Sequence, residues 1–81
     1  MAVIIYDTQG LYEYLNHVGA VPIARRFPGW IPEWQRRASV LFGAITAAGG
    51  PMPFGVHYRR HGCFLVTPAG GAPRAVPNPY A

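Results

Sequence analysis

Phe54-Gly55-Val56-His57-Tyr58-Arg59-Arg60-His61-Gly62-Cys63-Phe64-Leu65-Val66-Thr67 is the stretch that decides the architecture. Two runs rich in β-branched and aromatic residues, Phe54–Tyr58 and Cys63–Thr67, flank a polar centre that ends in glycine. This pattern predicts a hairpin whose turn is Arg60-His61-Gly62, with Gly62 supplying a positive φ. A turn of two, three or four residues fits equally, so the register stays open.

Upstream, Gly49-Gly50-Pro51-Met52-Pro53 must end whatever element precedes it. Pro32 suits the first position of a helix and Glu33 its first turn, so a helix is expected from Pro32 to about Ala48. Trp34, Ala38, Leu41, Phe42 and Ile45 make its apolar stripe. Arg36 falls on the other face, and Arg37 is spaced to pair with Glu33. Ala38–Val56 is a run of nineteen residues without a charge, close to the length of a membrane span. The Gly-Gly-Pro break leaves a continuous helical part of only about 16 Å, so no span is expected.

Further upstream, Ala20–Ile31 reads as a connector containing Pro22, Pro28 and Gly29. Before it, Asp7 or Thr8 can cap a helix. Leu11, Tyr14 or Leu15, and Val18 share one face of that helix. Glu13 and His17 form an i,i+4 pair, and Gly19 stands where a C-terminal cap is expected. Ala2-Val3-Ile4-Ile5-Tyr6 is apolar and β-branched, and reads as a buried strand. Asp7 stops the run after five residues and no basic region precedes it, so a secretory signal is not expected.

Downstream of the hairpin, Pro68 to Ala81 shows no core pattern, and an extended, partly polyproline-like tail is expected. The fold class expected is therefore α+β, in the order β-α-α-β-β. Two helices would pack on a short, partly antiparallel sheet. Residues 1–67 would form a single domain and residues 68–81 a Pro/Gly-rich tail.

Composition narrows the function. The chain has 81 residues, 51% hydrophobic and 12% charged, which is enough apolar surface to fold. Burial at ~25 cal/mol/Å² and ordering at ~1.5 kcal/mol per residue both come to about 120 kcal/mol, so the domain is marginal alone. Net charge is +4, and all seven cations are arginine. A basic chain favours acidic partners, whether nucleic acid or protein. One cysteine excludes an internal disulfide and points to the cell interior, so an intracellular (cytoplasmic) location is expected, or a virion-associated one if the chain serves a viral assembly.

Catalytic and metal chemistry find little to work with. His57, His61 and Cys63 share parity, but the turn falls among them and no fourth ligand is near. Cys63 is followed by Phe64-Leu65-Val66, which argues for burial rather than a reactive thiol. Asp7, Glu13 and Glu33 are the only carboxylates among the side chains. Neither an enzyme nor a bound cofactor is expected.

The leading expectation is a non-enzymatic interaction protein, a small accessory or structural subunit of a larger assembly. A viral or phage assembly is the working case, as for many small basic chains. Its protein contacts would be Trp30, Val76, Pro77, Pro79 and Tyr80, in the aromatic loop and the tail. A protein partner or a homo-oligomer follows from this reading, and a membrane does not. The alternative is a nucleic-acid-binding module. It would use Tyr58, Arg59, Arg60 and His61 at the hairpin tip, Gln35 and Arg36 at the start of the second helix, and Arg25 and Arg26.

Overall fold

The structure, a computed structural model, describes residues 2–21, 32–59 and 62–78, the side chains of residues 32–35 excepted. In chain order it contains β1 (Ala2–Ile5), α1 (Thr8–His17), α2 (Pro32–Gly49), β2 (Phe54–Arg59), β3 (Cys63–Thr67) and β4 (Arg74–Pro77). The strands form one sheet in the order β1-β2-β3-β4, antiparallel throughout. The α+β class holds, with one strand more than expected.

Each boundary has a local cause. Asp7, not Thr8, caps α1: its Oδ1 accepts from the Gly10 N–H at 2.7 Å. At the other end Gly19 takes φ 74°. Its N–H reaches the Asn16 carbonyl at 3.0 Å, and that of Ala20 reaches the Leu15 carbonyl at 2.9 Å. Together they satisfy two of the carbonyls that a helix end leaves without partners. In the hairpin, Arg59 stands opposite Cys63, which sets a three-residue loop. The Gly62 N–H closes it on the Arg59 carbonyl at 3.2 Å.

The tail from Pro68 is the main correction. The Gly71 N–H bonds the Pro68 carbonyl at 3.0 Å and Gly70 has φ 71°, so the chain turns back at once. Arg74–Pro77 then pairs with β3, Val76 opposite Phe64 and Arg74 opposite Val66. An edge strand packs on one side only. Here a single inward residue, Val76, is 7% exposed, while Ala75 and Pro77 are exposed. One valine among prolines and glycines does not show as a pattern, yet it anchors the strand.

All the buried strand side chains lie on one face of the sheet. Ile5, Phe54, Val56, Phe64, Val66 and Val76 meet Leu11, Tyr14 and Leu15 of α1 and Ala38, Leu41 and Ile45 of α2. The stacked rings of Tyr12 and Phe42, 5.9 Å apart, tie the two helices together. Gly49 is set so close to the Phe54 ring that a Cβ would fall 2.6 Å from its Cγ. Because both helices lie on this side, β1 is buried on one face only. The stretch expected as a buried strand buries Ile5 but leaves Ile4 56% and Tyr6 72% exposed.

Candidate functional site

Hydrogen-bond direction fixes what each sheet edge offers. The Tyr58 N–H donates to the Tyr14 hydroxyl at 2.7 Å. Tyr58 lies one residue beyond the last pair of β1 with β2, Ala2 opposite His57, so the phenol continues the ladder where β1 stops. Backbone groups alternate direction along a strand. Val56 and Phe54 therefore face β1, while Arg59 faces β3, in agreement with its carbonyl bonding Gly62. Val3 and Ile5, opposite Val56 and Phe54, exchange hydrogen bonds with β2. Ala2 and Ile4 direct their N–H and C=O groups off the sheet.

The same reasoning applies to β4. The Asn78 N–H bonds the Gly62 carbonyl at 2.7 Å, so Val76 and Arg74, of the same parity, face β3. Ala75 and Pro77 face outward, and proline has no N–H to offer. Among the described residues no strand pairs with the outer side of β1, whose edge is thus a row of donors and acceptors with apolar side chains. The β4 edge is interrupted by Pro77 and carries Arg74.

The sheet face turned away from the helices is covered by none of the described elements. Ile4, Gly55 and Thr67 form one row across it, and Ala2, His57, Leu65 and Ala75 the next. Arg59, Cys63 and Pro77 form a third. Most of these side chains are apolar, where a solvated face would alternate to polar residues. A groove of about 460 Å³ opens on it between Ile4, Pro53, Gly55, Thr67 and Pro68. A second groove, of about 390 Å³, follows the seam between β1 and α1, with Val3 and Ile5 below and Glu13, Tyr14 and His17 beside it.

The expected site residues are dispersed. Arg59 is exposed on the open face, but Tyr58 points to the core side, half-buried, its ring 4.7 Å from that of Phe64. Ring and guanidinium therefore sit on opposite sides of the sheet. Arg36 is exposed on α2, away from the buried Ala38, Leu41 and Ile45. Val76 belongs to the core, and Pro77 is exposed at the β4 edge. Arg25, Arg26, Trp30, Arg60, His61, Pro79, Tyr80 and the Gln35 side chain lie outside the described residues.

His57 and Cys63 do share the open face, as diagonal neighbours across the β2–β3 pair. The Cys63 thiol, half-buried, donates to the Phe64 carbonyl at 3.7 Å. Among the described residues no three metal-ligating side chains come together, and no helix is long and apolar enough to cross a membrane. Sequence reasoning missed Ile4 and Tyr6 as exposed residues and Leu65 as a half-buried residue of the open face. Their apolar character was visible, but the side of the sheet that the helices would leave open was not.

Comparison with protein-family models, curated proteins and solved structures found no match to the chain.

Proposed function

We propose that the chain is a non-enzymatic interaction protein, a small subunit of a larger assembly, and that it works through its open sheet face and the adjoining β1 edge. The observation that carries this is the apolar character of a face that no described element covers, with Ile4 exposed and Leu65 half-buried in neighbouring rows. An apolar face left uncovered in this way marks a contact site. The reading keeps the expected class of function and adds the sheet as its contact surface; of the expected contacts Val76 lies in the core and Pro77 is exposed at the β4 edge, and Trp30, Pro79 and Tyr80 lie outside the described residues.

The test is to recover the chain from its native setting and compare it with Leu65→Arg. The expected result is co-migration of the wild-type chain with a second protein component, lost in a variant that still folds. A wild-type chain with no other protein bound, and no effect of the substitution, would sink the reading.

A further inference from the structure

We infer that the occupant of the β1 edge is a second copy of this chain, paired β1 to β1 about a two-fold axis through Ile4. This rests on the interaction reading above and names the partner for one part of that surface.

Three observations lead to it. First, the outward backbone groups within β1 belong to Ala2 and Ile4, each of which keeps its N–H, and Tyr6 follows directly on the strand. An antiparallel strand with the same groups directed outward completes the ladder without change to either chain. In the register centred on Ile4, Ala2 faces the partner's Tyr6 and Ile4 faces the partner's Ile4. Ile4 and Tyr6 are two of the large apolar residues the monomer leaves exposed, at 56% and 72%. Second, the inner-face residues Val3 and Ile5 then meet their counterparts in the groove of about 390 Å³ beneath α1.

Third, α1 flanks that groove with Glu13 and His17, one turn apart. A two-fold axis runs the two copies of α1 antiparallel, so that a contact of Glu13 with the partner's His17 is repeated by symmetry as one of His17 with the partner's Glu13. A carboxylate accepts from the imidazole N–H in either protonation state of the ring. The pattern is thus complementary to itself, as an isologous interface requires. A foreign strand carries no such constraint.

The edges agree with this assignment. Natural sheets protect free edges with proline and charge. β4 has Pro77 and Arg74, while Ala2-Val3-Ile4-Ile5 has neither. Pairing through β1 makes a continuous eight-stranded sheet with a protected β4 at each end.

Sedimentation of the purified 81-residue chain over a concentration series tests the inference. A species of twice the 8.9 kDa chain mass is expected, dissociating on dilution. Ile4→Lys should raise the dissociation constant about tenfold or more, since it sets like charges opposite one another at the axis. Glu13→Lys should weaken the dimer several-fold, and the double variant Glu13→Lys with His17→Glu should restore it. Because the two residues are also an i,i+4 pair within α1, the unfolding midpoint of each variant is measured beside its dissociation constant, and rescue of the constant with the midpoint unchanged places the pairing across the two-fold axis. A folded Ile4→Lys chain that dimerises as wild type overturns the β1 pairing, and failure of the double variant to recover overturns the axis. A wild-type monomer at every concentration overturns the second copy as occupant. That last result leaves the wider interaction reading to the Leu65→Arg test, so the two fail separately.

Discussion

The two edges of this sheet are built in opposite ways. β1 is four apolar residues without proline or charge, and its outward side keeps every N–H. β4 is also four residues, but Pro77 removes an outward donor and Arg74 adds a charge. Both are anchored from within, β1 by Ile5 and β4 by Val76. The difference therefore concerns what each edge offers to another chain. Strand edges are templates for pairing unless they are blunted. A sheet that blunts one edge and leaves the other open directs its pairing to one side.

Matched substitutions at the two edges sharpen that contrast. The largest effect is expected for Val76→Asp, which buries a charge at the core side of β4 and should cost about 3 kcal/mol or more in denaturant unfolding. The same change at Ile4 is on the exposed side of β1 and should cost less than about 1 kcal/mol. Equal losses at both would contradict the assignment of inward and outward positions.

Proline substitution tests the backbone directions. Val3→Pro removes an N–H that bonds β2 and should destabilise the chain by about 1–3 kcal/mol. Ile4→Pro removes only an outward donor and should leave the monomer closer to wild type while abolishing dimerisation. The reverse order would invert the parity.

Tyr14→Phe leaves the Tyr58 N–H, beyond the end of β1, without its acceptor. A loss of about 1–2 kcal/mol in thermal or denaturant unfolding is expected, and no loss would remove the phenol as a ladder cap. Smallest in stability, within about 0.5 kcal/mol, is Pro77→Thr. It restores an outward donor to β4, so its mark should be new, larger species in sedimentation. If none forms, proline is not what blunts that edge.

Much of the fold was legible in the sequence. The hairpin showed in two β-rich runs around Gly62, α1 in its Asp7 cap and apolar spacing, and the end of α2 in Gly49-Gly50. What escaped was β4, because an edge strand needs only one inward residue and Val76 stands alone among prolines. The expected tip of Tyr58 with Arg59 escaped for a related reason. Adjacent strand residues point to opposite faces, and this hairpin places Tyr58 on the core side. The open edge was not legible at all, since a short apolar run reads the same whether one of its faces is covered or both.

Amide exchange followed residue by residue, across a concentration series, tests the central claim most directly. Ile4 and Ala75 both direct their N–H groups off the sheet, one at each edge. The account predicts that Ile4 becomes protected as concentration rises, while Ala75 exchanges freely throughout and Val3 stays protected at every dilution. Ile4 exchanging as fast as Ala75 at all concentrations would contradict it.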